Sequence, residues 1–176
     1  MPSDLPSFSA SRALAETLLA DHLPERWQHT QAVAREAVRL ADLPGVDREP
    51  LIHAAVLVHV GHSPVASRSG FPPLDGARFL RVRGYPRRVV ALVAHQLASG
   101  VEAEAVGVDL GGLEDEESPT RDALWWCLLV ADRAAAPLVA GPDGRTDTAG
   151  RRRDATRAAV ARTRSRLDAA GPAAVS

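Results

Sequence analysis

The sequence predicts an all-α protein. Its composition and the positions of its prolines and glycines support that class. Apolar residues make up 45% of the 176 positions but aromatic residues only 4%, so alanine, leucine and valine must fill the core. Alanine and leucine favour close-packed helices over sheets. Prolines and glycines divide the chain into stretches in which apolar positions recur at helical spacing. A chain of this length suits a single domain.

Three helices are predicted in the first third of the chain. The first runs from about Ser9 to His22, and the second from Pro24 to about Asp42. Pro24 suits the first position of a helix, where its missing N–H has no partner to lose. The third lies in the segment 51–64, LIHAAVLVHVGHSP, which is apolar nearly all round and is therefore expected to be buried. Gly61 can end that helix.

Four further helices are predicted after this buried segment. They run from Pro73 to Val82, from Pro86 to about Ser99, from Pro119 to Pro137, and from Thr148 to about Ala170. Gly100 is expected to end the second of these four. The glycine-rich and acidic stretch 107–119 is expected to be a surface loop.

These elements suggest a flexible N-terminal arm over residues 1–8, a helical domain over 9–145 and a C-terminal helix over 146–176. The C-terminal helix is rich in arginine, and its apolar stripe consists of Val160 and Leu167 with alanines around them. So thin a stripe buries little surface. We therefore expect this helix to pack on or beside the domain, or to lie at a partner surface.

Charge and cysteine content exclude several classes of function. The formal net charge of −1 argues against a general nucleic-acid or membrane-surface binder. The chain has no lysine, which excludes a lysine Schiff-base mechanism. The single Cys127 cannot form an internal disulfide, so a cytoplasmic setting is expected. Neither a signal peptide nor a membrane span is predicted. A small-molecule partner fits these limits, and a homodimer is compatible with them.

Four histidines lie where the predicted helices end or face inward. His59 falls in the last turn of the buried helix, with His62 just beyond it. His29 shares the inward face of the second helix with Val33, and His95 lies at the edge of the helix that begins at Pro86. Burying an imidazole without a partner costs about 1–3 kcal/mol. Two histidines that flank a glycine at a helix end favour a pocket over an isolated core histidine.

The segment AAVLVHVGHSP resembles the signature of the HD-domain superfamily, a group of helical metal-dependent phosphohydrolases, and the likeness extends over residues 20–145. The usual signature is a hydrophobic run followed by His-Asp-hydrophobic-Gly. Anchored on Gly61, the family's His-Asp pair falls on Val58 and His59. A register with His59 and Val60 at the pair needs a one-residue deletion, which would turn the helix by about 100°. The gapless register is therefore preferred, and both registers lack the aspartate.

The resemblance also implies which residues surround the pocket. The family gathers a histidine from one helix, the His-Asp pair from a second and an aspartate from a late helix. His29 matches the first ligand, and His95 matches an intermediate histidine of members with two metals. His62 matches a position that carries a catalytic side chain in some nucleotide-cleaving relatives. The late aspartate matches Asp132 in one alignment, whereas another places Leu128 there.

Three functional hypotheses follow, and they leave open whether the protein is an enzyme. The first is a divergent HD-like protein with a degenerate metal site and no cofactor. It binds or transforms a small molecule, phosphorylated compounds included, through His29, His59, His62 and His95 as acid, base or hydrogen-bonding groups. The second is a mononuclear phosphohydrolase with one Mn, Fe, Zn or Mg ion on His29, His59 and Asp132. The third is a non-catalytic interaction protein that uses the arginine-rich helix.

Overall fold

The computed structural model describes residues 5–113, 117–135 and 147–170, and all regular structure in these ranges is helical. The all-α class is therefore confirmed. Two 3-10 turns, Val60–His62 and Gln96–Ala98, supplement the α-helices. The α-helices are α1 (Phe8–Leu19), α2 (Pro24–Leu40), α3 (Arg48–Leu57), α4 (Pro72–Val82), α5 (Arg87–Ala94), α6 (Ser99–Ala105), α7 (Pro119–Ala135) and α8 (Asp147–Ala170).

Helix α1 begins before the predicted position and also ends earlier. The Ser7 side chain accepts a hydrogen bond from the backbone N–H of Ala10 at 3.2 Å, so Ser7 caps the helix and Phe8 is its first residue. The last two residues of the predicted arm over residues 1–8 therefore belong to the start of α1, while residues 1–4 lie outside the described ranges. The side chain of Thr148, the predicted first residue of the last helix, also lies outside the described ranges.

The single helix predicted between Pro86 and Ser99 is wrong, because the chain breaks after α5. Leu97 and Ala98 have left-handed backbone angles, with φ of 41° and 60°. Residues other than glycine rarely adopt such angles. Gly100 lies inside α6 instead of ending a helix. The Trp125 indole donates to the His95 carbonyl oxygen at 2.8 Å. This bond holds the end of α5 against α7 and compensates for part of the backbone strain.

Helix α3 occupies the centre of the molecule, as its apolar sequence predicts. It packs against α1, α2, α5 and α7, and every residue from Leu51 to Leu57 is buried. A fully buried leucine or valine stabilises the fold by about 1.5–3 kcal/mol. The helix ends inside the core. The residues immediately after Leu57 therefore lie between the surrounding helices.

A buried polar triad joins α1, α3 and the turn before α5. The Ser11 hydroxyl lies 2.9 Å from His53 Nδ1 and 2.9 Å from the Tyr85 hydroxyl. All three side chains are buried, and the Phe8 ring packs at a right angle to the His53 ring. Each buried polar group thus has a partner, which avoids the cost of an unsatisfied donor or acceptor.

The turn after α3 packs backbone to backbone against the start of α4. A Cβ atom placed on Gly61 would lie 1.9 Å from the Pro72 carbonyl oxygen and 2.6 Å from the Gly76 nitrogen. A Cβ on Gly76 would lie 3.1 Å from the Gly61 nitrogen and 3.3 Å from Val93 Cγ1. Only glycine at position 61 permits this approach.

Helix α8 packs against α7 and α6 through one buried carboxylate and a few small side chains. Asp122 of α7 is buried and accepts two hydrogen bonds from Arg162, at 2.7 and 2.8 Å, and one from Arg166 at 3.2 Å. Ala159 and Thr163 are the buried residues on the facing side of α8. A bidentate arginine–carboxylate pair fixes geometry as well as contributing energy.

Within the described ranges, the apolar length needed to cross a membrane is not reached by any helix.

We expect Gly61→Ala to lower the free energy of unfolding by about 3 kcal/mol or more, because the added methyl group meets backbone atoms that cannot rotate away. Gly150→Ala is the matched control. Gly150 lies in α8 with open space around a new Cβ, so its substitution should leave stability unchanged or raise it by up to about 1 kcal/mol. Urea denaturation of both variants measures the difference; equal stabilities would contradict the close approach.

Replacing Asp122 by asparagine should destabilise the docking of α8, since two arginines then lose their buried carboxylate. The expected cost is about 2–3 kcal/mol. Asp154→Asn removes an exposed α8 carboxylate that lies 3.9 Å from Arg157, and should cost less than about 0.5 kcal/mol. Hydrogen exchange of the α8 amides measures the effect. We expect faster exchange only in Asp122→Asn, and unchanged protection would contradict the role of Asp122 in docking α8.

Candidate functional site

Side chains from three parts of the chain meet beside the end of α3. We call His29, His59, His62 and Asp132 the histidine cluster. The ring centroids of His29 and His59 are 5.0 Å apart, and those of His59 and His62 are 5.9 Å apart. His29 Nε2 lies 2.9 Å from Asp132 Oδ1. The structure thus brings together three of the four predicted histidines and the predicted late aspartate.

Helical spacing explains why α2 contributes to this cluster. Arg26, His29, Thr30 and Val33 follow the i, i+3, i+4, i+7 pattern, so they share one face of the helix. That helix packs against both α3 and α7. Val33 fills the core, and the polar residues one turn earlier reach the end of α3, where His59 is located.

His29 and Asp132 form a close but poorly aligned pair. The nitrogen His29 Nε2 is buried and has no hydrogen bond of acceptable angle, although the carboxylate oxygen is within ion-pair distance. The Asp132 side chain is 54% exposed, so it can move without disturbing the core. Leu128 is buried among apolar residues. Of the two candidates for the late acidic position, Asp132 is therefore the residue that reaches His29.

His59 is held from one side by Thr30. The distance between His59 Nδ1 and Thr30 Oγ1 is 2.8 Å, and Thr30 Oγ1 donates to the Arg26 carbonyl oxygen, also at 2.8 Å. Among the described residues, His59 Nε2 has no hydrogen-bond partner. Burial, followed by the positive charges of His29, Arg26 and His62, lowers the pKa of His59 well below its usual value. His59 is therefore a neutral imidazole at pH 7.

His62 and Arg26 border the cluster. Burial, and then the charge of Arg26, lowers the pKa of the half-buried His62 to about 4. Burial lowers the pKa of Arg26, and the negative charge of Asp132 partly offsets this effect. At neutral pH, the neutral imidazoles of His59 and His62 therefore lie beside the positive charge of Arg26.

The loop that follows His62 is tied down by Asp75, a buried residue in the first turn of α4. Its carboxylate accepts hydrogen bonds from the backbone N–H groups of Arg68 and Ser69 and from the Ser69 hydroxyl, at 2.7–3.0 Å. Burial raises the pKa of Asp75, but these hydrogen bonds outweigh it and leave the pKa below its usual value. Asp75 is thus a structural group that closes the loop beside the cluster.

His95 packs at a different point. Its Nε2 is hydrogen-bonded to the carbonyl oxygen of Leu113, and its own carbonyl oxygen accepts from Trp125. Trp125 precedes Asp132 by seven residues on α7, a rise of about 10 Å. The contacts of His95 thus connect α5 with the 107–113 loop and α7, and the ring contacts that define the cluster involve only the other three histidines.

The residues present fit a metal ion only in part. Val58, which the resemblance aligns with the histidine of the signature, is buried in the core, and its side chain cannot coordinate a metal. His29 Nε2 and Asp132 Oδ1 have the separation of adjacent ligands in an octahedral site, where bonds of about 2.1 Å at right angles place two donors about 3 Å apart. Across the three described ranges, however, no group of three His, Cys, Asp or Glu residues has the geometry of a metal site.

Comparisons with protein-family models, with curated proteins and with solved structures gave no match for this chain.

Sequence reasoning missed two residues of this site, Arg26 and Thr30. Both could have been found by extending the inward face of α2, defined by His29 and Val33, by one turn towards its N-terminus. A threonine beside a predicted pocket histidine is a weak signal by itself. Threonine hydroxyls in helices commonly donate a hydrogen bond to a carbonyl oxygen of the preceding turn.

The depressed pKa of His62 predicts a loss of stability in acid. The unfolded histidine takes up a proton near pH 6.5 and the folded one near pH 4, so the unfolded state binds more protons between these values. Stability should therefore fall as the pH drops from 6.5 to 4. His62 contributes no more than about 3 kcal/mol of this loss, and His59 and His53, whose pKa values are also lowered, act in the same direction.

The test is urea denaturation at several pH values between 7 and 4 for His62→Asn, with the exposed His22→Asn as control. We expect a shallower pH dependence in His62→Asn and the wild-type dependence in His22→Asn. A slope that is the same in all three proteins would show that His62 titrates as it does in the unfolded chain.

Proposed function

We propose that this chain is a divergent, cytoplasmic HD-like protein that binds a small molecule at the histidine cluster without the family's usual metal centre. The observation that carries the proposal is the convergence of His29, His59 and His62 beside the positive charge of Arg26. Solvated surface histidines would not require three elements of the chain to meet. Imidazole side chains offer both donors and acceptors, which is the chemistry of a small-molecule site.

His29 is the best acid–base group of the cluster. Asp132 lies 2.9 Å from its Nε2, close enough for a small rearrangement on ligand binding to align the pair. A carboxylate that orients an imidazole and stabilises its protonated form is the arrangement used for general-base catalysis. His59 and His62 then act as neutral hydrogen-bonding groups. The cation of Arg26 favours a ligand that carries a negative charge, which includes phosphorylated compounds.

A mononuclear metal-dependent phosphohydrolase is the second candidate, and the 2.9 Å separation of His29 Nε2 and Asp132 Oδ1 favours it. His59 is the third donor of that candidate site. A metal would act there as a Lewis acid and a source of activated water. The incomplete donor set places this candidate second.

The interaction-protein hypothesis receives less support from the contacts of α8. Arg162 and Arg166 bind Asp122, and Arg151 lies 2.9 Å from Glu104 of α6. These arginines are engaged within the chain, so the arginine content of the helix is used in part for its own docking.

Thermal denaturation with a panel of small anions and matched neutral compounds tests the proposal. A ligand at 100 times its Kd should stabilise the protein by about 2.7 kcal/mol, which raises the Tm of a chain of this size by about 5–10 °C. His29→Gln and His59→Gln should lose most of this shift, whereas the surface variant His22→Gln should retain it. A ligand that stabilises wild type and cluster variants equally would place its site elsewhere.

The same assay separates the two candidates. Mn²⁺ and Zn²⁺ are added without other ligand to wild type and to Asp132→Asn. The metal-free proposal predicts no specific rise in Tm, while a rise in wild type that Asp132→Asn abolishes would establish the mononuclear site.

A further inference from the structure

Thr30 joins His59 to the backbone of its own helix through two short contacts. Its hydroxyl oxygen lies 2.8 Å from the Arg26 carbonyl oxygen and 2.8 Å from His59 Nδ1. Thr30 is fully buried and His59 is 6% exposed, so water does not compete for these positions. A threonine hydroxyl carries one hydrogen, which can lie in only one of the two contacts.

Counting hydrogens assigns the tautomer of His59. A carbonyl oxygen can only accept, so the contact with Arg26 requires the Thr30 hydrogen. The remaining contact then requires a hydrogen on His59 Nδ1, and each 2.8 Å contact contains one hydrogen. In the opposite assignment, the Thr30 hydrogen points to Nδ1 and two acceptor oxygens face each other at 2.8 Å with none between them.

We propose that Thr30 is a positioning residue that holds His59 in the Nδ1–H tautomer and so presents the Nε2 lone pair to the histidine cluster. Thr30 itself does not touch the ligand. It acts by fixing which ring nitrogen carries the proton, a role that a hydrogen bond to the other nitrogen commonly performs for functional histidines. The functional consequence rests on the proposed function, whereas the tautomer does not.

The fixed tautomer specifies one feature of the ligand. Because Nε2 accepts, the group that faces it must donate an N–H or O–H. A compound without that donor would leave a buried acceptor unpaired, and sites of this kind discriminate strongly against such analogues. His59 Nε2 is therefore a hydrogen-bond acceptor in the cluster. Its ability to accept depends on the Thr30 hydroxyl at the other ring nitrogen, Nδ1.

Removing the hydroxyl should reverse the tautomer. In Thr30→Val, which keeps a similar shape, a proton on Nδ1 would be buried without a partner. The ring should then carry its proton on Nε2. Thr30→Ser retains the hydroxyl and should retain the Nδ1–H tautomer, so this conservative variant separates the hydrogen bond from the packing of the side chain.

The experiment is a long-range ¹H–¹⁵N spectrum of the full chain labelled with ¹⁵N-histidine, recorded near pH 7 without ligand. His59→Gln identifies the His59 signals by their disappearance. We expect a protonated Nδ1 and a bare Nε2 in wild type and Thr30→Ser, and the reverse in Thr30→Val. A protonated Nε2 in wild type would overturn the assignment, and an unchanged tautomer in Thr30→Val would overturn the role of Thr30.

Two features keep the outcome decisive. If Thr30→Val does not fold, the wild-type spectrum alone still tests the assigned tautomer. Because no ligand is present, a failure of the small-molecule proposal leaves the spectra unaffected, and a wrong tautomer leaves the thermal-shift results standing.

Discussion

The contact between the Gly61 backbone and the start of α4 is the constraint on which the histidine cluster depends. His59 lies two residues before this glycine and His62 one residue after it, so the turn sets the position of both rings. The contact involves main-chain atoms of Pro72 and Gly76, which cannot adopt another rotamer. Asp75 then ties the following loop to the same helix. The site is therefore held by backbone packing, which gives its side chains a rigid support.

Buried polar groups are fully paired at one place in the molecule and incompletely paired at another. Where α8 meets α7, Asp122 and its two arginines are matched in charge and hydrogen bonding. In the cluster, burial and nearby positive charge keep His59 and His62 neutral, and the buried His29 Nε2 has no hydrogen-bond partner of acceptable angle among the described residues. Fully matched groups are typical of structure, whereas incompletely matched ones are typical of binding sites. This contrast supports a function at the cluster more directly than any single contact.

The sequence predicts those parts of the fold that local patterns determine. Prolines at helix starts and the apolar run of α3 located most helices, and helical spacing placed His29 on the inward face of α2. The expectation that His29 and His59 meet came from the family resemblance. The break at Leu97 and Ala98 could not be predicted, because both residues are ordinary helix formers. Contacts distant in sequence, such as the one between the Trp125 indole and the His95 carbonyl, outweigh their preference there. The role of Thr30 likewise depends on tertiary distances.

The polar triad of Ser11, His53 and Tyr85 has a consequence for the uniqueness of the native state. A core of alanine, leucine and valine could pack with similar energy in several helix arrangements, since such side chains have no directional preference. The triad is satisfied only when α1, α3 and the turn before α5 are aligned with one another. Alternative compact states would bury these three groups without partners. One small network can thus separate the native arrangement from loosely packed, molten competitors.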